Sequence, residues 1–214
     1  MTFNYTAYLE VNDYIKKNAK NPVKIIAVSK NHPENSIKNA ISHGITVFGE
    51  NRVQEAIGKF SSIKRQFSNI ELHLTGSLQT NKVKQALGIF DVFQTLDREK
   101  LANVFHKHEN IIANKQFFIQ VNIGKEVNKS GIMPEDAAHF INYCRFDMHL
   151  PVVGLMCIPP QNENPTMFFE KLKKIAINNK LKNLSMGMSD DYKDAILSGA
   201  NNIRIGTKFF GQRF

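Results

Sequence analysis

Short apolar runs alternate along this chain with longer stretches in which apolar residues recur every third or fourth position. The short runs are KIIAVS (24–29), TVFG (46–49), ELHLTG (71–76), VFQTL (92–96), FFIQVNI (117–123), VVGLMCI (152–158), LSMGMS (184–189) and NIRIG (202–206). Most are apolar on both alternations, the pattern of strands covered on both faces. In ENSIKNAISHG, Ile37, Ala40 and Ile41 share one helical face and Gly44 is placed to stop the helix. NRVQEAIGKFSSIKRQF aligns Val53, Ala56, Ile57, Phe60 and Ile63 in the same way. DREKLANVFHKH opens on Asp97 as an N-cap, and MPEDAAHFINYCRF has Pro134 near its first helical position. SDDYKDAILSGA opens on a Ser-Asp-Asp cap and stops near Gly199, and a further helix is predicted at about 4–19.

Eight β/α alternations call for parallel strands joined by right-handed crossovers. Eight is also the number that closes a barrel, so the predicted fold is α/β, a single (β/α)8 TIM barrel with an extra N-terminal helix. An open doubly wound sheet is the structural alternative, but no G-x-G-x-x-G follows the first strand. No linker, low-complexity segment or further repeat interrupts residues 1–214, which are read as one domain.

In such a barrel, chemistry gathers where strands end and βα-loops begin. Lys30 closes the first run. Glu50 and Asn51 follow the second, and His73, Thr75, Gly76, Gln79, Asn81 and Lys82 lie along the third and its loop. Asn122, Met156, Ser189 and then Arg204, Gly206 and Thr207 mark the fifth to eighth. The segments SMGMSDD and RIGT place hydroxyls, small residues and helix starts after the last two strands, an arrangement that favours an anion such as a phosphate. The plainer alternative is that Ser189 only caps its helix and Gly206 only makes a turn. A lysine near such a site can neutralise the phosphate. As a neutral amine it can instead form a Schiff base with an aldehyde. Pyridoxal 5'-phosphate (PLP), a phosphorylated aldehyde, would use lysine and anion site together.

Composition narrows the remaining classes. Hydrophobic residues make up 42% and charged residues 22%, ordinary for a globular domain, and no stretch approaches the roughly 18 apolar residues of a membrane span. The N-terminal segment has no continuous apolar core of the kind a secretory signal needs. Cys144 and Cys157 read as buried reduced thiols, which places the chain in the cytoplasm. A net charge of +9 raises nucleic acid as a partner. The basic residues are dispersed, however, and the cluster EKLKKIAINNKLKN (170–183) has the spacing of a solvated helix face. Metal binding is not expected: His106 and His108 are two apart on a predicted helix, and no Cys/His cluster has zinc-like spacing.

Seven ordered segments resemble the pyridoxal phosphate homeostasis proteins: AVSK (27–30), FGENRVQEA (48–56), LTGSLQTNK (74–82), VNIGKEVNKSG (121–131), GLMCIP (154–159), LSMGMSDDYKDAI (184–196) and IRIGTKFFGQR (203–213). The resemblance covers nearly the whole chain. It implies a barrel similar to the N-terminal domain of alanine racemase, with PLP held as an internal aldimine on Lys30. By the same resemblance Arg204 faces the pyridine nitrogen, while Ser189, Gly206 and Thr207 hold the phosphate. Asn51 lies near the ring, and His73 and Met186 are further pocket candidates. Thr75 stands where the family usually has an aliphatic residue, Arg52 where an aromatic is common, and Gln94-Thr95 where His-Ser is more usual.

The expected function is therefore PLP carriage and intracellular PLP homeostasis without established catalysis. Its expected partners are PLP and, as acceptors, PLP-dependent apo-enzymes, with neither nucleic acid nor membrane, and a monomeric state. The chain stops at GQRF after the eighth unit, without the β-rich second domain of alanine racemase, and all five tyrosines read as helix positions. A racemase-type PLP enzyme is the alternative. A Schiff-base aldolase using Lys30 without PLP and a nucleic-acid binder are the remaining readings.

Overall fold

The computed structural model describes residues 3–212. Eight parallel strands close on themselves in sequence order: β1 (Lys24–Val28), β2 (Val47–Glu50), β3 (Glu71–Leu74), β4 (Val92–Leu96), β5 (Gln116–Val121), β6 (Val152–Cys157), β7 (Asn183–Ser185) and β8 (Asn202–Ile205). β1 pairs with both β2 and β8, and the second pairing sets Ile26 beside Arg204. The observed strands begin within one residue of the predicted ones. β7 is shorter than its apolar run because Gly187 turns the chain at φ +91° and Asp191 accepts a bond from the Met188 amide.

Around the barrel run α1 (Tyr5–Asn18), α2 (Glu34–Ser42), α3 (Val53–Gln66), α4 (Val83–Leu87), α5 (Glu99–His106) and α6 (Glu109–Ile112). They are followed by α7 (Ala137–Asn142), α8 (Pro165–Asn178), α9 (Tyr192–Leu197) and α10 (Thr207–Phe210). Gly44 ends α2 as expected, at φ +84°, a conformation that costs glycine little. Two expected helix starts differ. Arg98, not Asp97, is the N-cap of α5, because the Asp97 carboxylate turns to the Arg98 guanidinium instead of to the helix amides. Pro134 lies ahead of α7, in a turn closed by the Asp136 amide on the Met133 carbonyl, and α7 ends in a π turn over Tyr143–Asp147. The crossover between β3 and β4 is only a short 3₁₀ turn (Thr80–Lys82) and α4, which the apolar pattern alone did not show as a helix.

Most of the core lies between the barrel wall and the helices. Its densest part is aromatic: Phe93 stacks on Phe117 at 5.2 Å between ring centroids, and Phe105 of α5 stands edge-on to both at 4.9 and 4.8 Å. Inside the barrel a much smaller apolar cluster forms from Val92, Phe118 and Met156. Buried polar side chains, His73, Gln94, Ser185 and Arg204 among them, share the interior with these residues. At the closure of the chain, Asn4 N–H donates to the Phe209 carbonyl at 2.7 Å and Phe3 packs edge-on against Phe209. Truncating the fully buried Phe117 to alanine removes one ring of the aromatic triad, and urea denaturation should show a loss of about 3–5 kcal/mol.

Candidate functional site

Inward-facing positions follow from the packing. A Cβ placed on Gly49 would meet the side chains of Ile26, Val28 and Thr75, so these four positions share the barrel interior. The next residue on the β1 alternation is Lys30, in the turn beyond the strand. Ser29 and Glu50, on the opposite alternation, face the helices and are fully buried.

The turn carrying Lys30 is fastened from behind. Lys59 of α3 donates to the Ser29 carbonyl at 2.9 Å and the His32 carbonyl at 3.3 Å, and pairs with the carboxylates of Glu50 and Glu55. Ser29 Oγ–H donates to Glu50 Oε1 at 2.7 Å, and the Asn31 amide donates to Glu55. Asn31 adopts φ +62°, and His32 stacks on Phe210 with centroids 5.3 Å apart. Burial pushes the Glu50 carboxyl above its ordinary range, against the pull of the Lys59 charge, and its Oε2 has no hydrogen-bond partner. Glu50 was legible as a strand-end residue, whereas Lys59 and Glu55 joined it only through the packing of α3 on β2.

At the opposite side of the β1 edge stands Arg204. Its guanidinium is buried and donates to Ser185 Oγ at 2.7 Å and to the Cys157 carbonyl at 2.8 Å. Among the described residues no carboxylate lies within ion-pair distance of it. Beyond Arg204, Gly206 starts α10, and Ser189 Oγ accepts from the Lys208 amide at 3.3 Å. The two expected phosphate segments thus meet, with Gly206 next to Val28 and Thr207 exposed to solvent.

Asn51 closes the β2 side. Thr75 Oγ1–H donates to Asn51 Oδ1 at 2.8 Å, so the threonine that departs from the family pattern fixes the orientation of the Asn51 amide. Gly76 makes this possible, because any Cβ there would lie 2.4 Å from the Asn51 carbonyl oxygen. His73 and Met186 are placed differently from the other candidates. His73 is 1% exposed, with one ring nitrogen on Glu71 and the other 2.7 Å from Gln94 Nε2. Met186 is fully exposed to neither solvent nor cavity: it is buried in the large apolar core shared by wall and helices, one alternation out of phase with Ser185. Asn122 is a loop staple, exchanging bonds with the Glu126 amide and carbonyl and with the Lys129 carbonyl.

The residues present fit a ligand that carries an anion and an acceptor nitrogen. A permanently charged guanidinium buried without a carboxylate is costly unless an acceptor completes its bonds. Cys157 and Cys144 are free and buried, with burial pushing both thiols up to about 12, so neither is a ready nucleophile. No cluster of three or more potential metal ligands occurs among the described residues. The five tyrosines lie on α1, the π turn after α7, and α9, and none is on a strand.

Comparison with known proteins agrees with this fold. The family model described as "Alanine racemase, N-terminal domain" matches residues 11–213, which defines the class of barrel. The chain is 40% identical over 207 residues to the pyridoxal phosphate homeostasis protein of Haemophilus influenzae, covering 91% of this chain and 86% of that one. It is 38% identical over 206 residues to the protein of the same name from Aquifex aeolicus, covering 91% and 89%. PipY of Synechococcus elongatus, solved with PLP bound, superposes with a TM-score of 0.82 at 31% identity over 94% of this chain and 99% of that one. Alanine racemase of Corynebacterium glutamicum shares the fold at a TM-score of 0.72 and 15% identity, with 99% of this chain covering 62% of that enzyme. The chain belongs to the pyridoxal phosphate homeostasis protein family, within the alanine racemase N-terminal domain fold.

The clamp behind Lys30 can be tested without any ligand. Lys59→Met leaves the Glu50 carboxylate buried without its cation and should cost about 3–5 kcal/mol in chemical denaturation. Adding Glu50→Gln should recover part of that loss. Additive effects of the two changes would show that the pair is not coupled.

Proposed function

We propose that this protein binds PLP at the C-terminal mouth of its barrel and serves PLP homeostasis in the cytoplasm. The observation that carries the proposal is the buried Arg204 guanidinium, without a carboxylate partner among the described residues, beside the Ser189–Lys208 contact and next to the strand that leads to Lys30. When bound, PLP supplies an aldehyde for an amine and a ring that withdraws electrons.

Lys30 is the amine, presented by the turn that Lys59 fastens. Ser189, Gly206 and Thr207 receive the phosphate at the start of α10, and Asn51 lies beside the ring. Arg204 donates to the ring nitrogen. Because arginine keeps its proton, that nitrogen stays unprotonated, and the ring is a weaker electron sink than one facing a carboxylate. A carrier role suits such a site. His73 stands below it as part of its support, and Met186 contributes through the packing of β7.

The free, buried cysteines support a reducing compartment. No helix among the described residues is long and apolar enough to cross a membrane. PLP-dependent apo-enzymes as acceptors, a monomeric state and a single PLP-binding domain belong to the same proposal.

The purified protein should show a visible absorption band that borohydride abolishes, and Lys30→Ala should lack it. A reducible band that persists in Lys30→Ala would place the covalent site elsewhere. Arg204→Glu should favour ring protonation and change the band, and an unchanged spectrum would remove Arg204 from the ring nitrogen. Racemisation assays across common amino acids should show no robust turnover. Robust turnover would replace the carrier reading with a racemase-type enzyme.

A further inference from the structure

A continuous chain of side-chain hydrogen bonds runs through the barrel interior from the N-terminal mouth to Arg204. Lys24 of β1 donates to both oxygens of Glu71 at 2.6 and 2.9 Å, and Glu71 also faces His73 Nε2. His73 Nδ1 lies 2.7 Å from Gln94 Nε2, Ser185 Oγ lies 2.6 Å from Gln94 Oε1, and Arg204 Nη1 lies 2.7 Å from Ser185 Oγ. The chain crosses five strands, and each internal member bonds a neighbour on either side.

Its direction is fixed by chemistry. Arg204 can only donate, so Ser185 Oγ accepts from it and spends its single hydrogen on Gln94 Oε1. The Gln94 amide nitrogen then faces His73 Nδ1 as a donor, and that nitrogen must be bare. The Glu71 carboxylate accepts from Nε2–H. A neutral, Nε2-protonated His73 is the one state that satisfies every contact.

We propose that Ser185, Gln94 and His73 are positioning residues for Arg204, holding its guanidinium in one orientation with N–H groups free for the ring nitrogen of the cofactor. This rests on the PLP reading for the identity of the acceptor, though not for the direction of the chain. A second proton on His73 would set two donors against each other at Gln94. Rotating the Gln94 amide would relieve that contact but turn its nitrogen toward Ser185, leaving the buried serine hydroxyl without its acceptor. The charged groups acting on His73 are Glu71 on its own strand, Lys24 on β1 and Asp91 ahead of β4. Burial pushes the imidazole below its ordinary range despite the pull of Glu71, in keeping with a neutral ring. For Glu71, burial works upward, but the bonds from His73 and Lys24 outweigh it and hold the carboxyl down to about 2, so it stays an acceptor.

Two readouts test the proposal separately from PLP binding. In the PLP-free protein, nitrogen NMR of the His73 ring should show a neutral Nε2–H form at about pH 7. A ring protonated at Nδ1 in the wild-type chain would overturn the chain's direction. Gln94→Glu sets a second carboxylate against Nδ1 and should convert His73 to the imidazolium at the same pH. An unchanged ring would also count against the proposal.

In the PLP-loaded protein, Ser185→Ala and Gln94→Glu should shift the visible absorption maximum and its pH profile, and raise the PLP dissociation constant about tenfold. Gln94→His, which can accept from Ser185 and donate to His73, should restore the wild-type spectrum. Wild-type spectra, pH profiles and affinity in both disrupting variants would refute the positioning role. If one variant fails to fold, the spectrum and affinity of the other decide the positioning role, and the wild-type ring tautomer decides the direction of the chain. A wild-type protein with no PLP band would overturn the PLP reading and, with it, the cofactor-directed role, while the NMR result would still settle the direction of the chain.

Discussion

An arginine buried inside a barrel cannot shed its charge, and the interior of this protein is arranged around that constraint. Arg204 has no carboxylate within ion-pair distance among the described residues, so neutral dipoles must replace the water it lost. Ser185 and the Cys157 carbonyl supply two of them, and Ser185 is in turn committed by Gln94. Had a carboxylate stood in the place of Ser185, the guanidinium would be neutralised from below and have less to offer a ligand. A neutral support leaves the guanidinium its full positive charge.

A second buried charge is handled in the opposite way. Glu50, between barrel wall and helices, is paired directly with Lys59, which also draws in Glu55 and two backbone carbonyls of the turn after β1. Buried ion pairs of this kind add little net stability, but removing one partner is costly, so the geometry they impose is strongly held. Here the geometry imposed is that of the turn bearing Lys30. One device holds a buried cation with neutral dipoles, and the other holds the turn that carries Lys30.

The departures from the family pattern acquire physical content in this setting. Gln94 stands where His is more usual, and like a neutral histidine it accepts at one end and donates at the other, so the interior chain stays unbroken. Thr75 replaces an aliphatic residue and uses its hydroxyl to fix Asn51. Arg52 has no comparable explanation in the structure.

Strand order and the residues at strand ends were legible in the sequence because each strand is short, apolar on both faces and bounded by polar or glycine residues. Lys30, Asn51, Ser189, Arg204, Gly206 and Thr207 all stand at C-terminal strand ends or just beyond. His73 and Met186 were harder to place. Alternation along a strand whose both faces are buried does not say which face meets the barrel interior, and only barrel closure put His73 inside and Met186 outside. Asp97 and Pro134 misled for a local reason: a neighbouring arginine and a turn captured groups that suit helix starts. By itself the sequence determined the eight-fold alternation and the residue types available at the barrel mouth, since periodicity and strand termini are properties of neighbouring residues. The tertiary structure alone decided the partners, Lys59 for Glu50 and the line from Glu71 through His73, Gln94 and Ser185 to Arg204. Those contacts join residues on different strands and helices, and only closing the barrel brings them within hydrogen-bond distance.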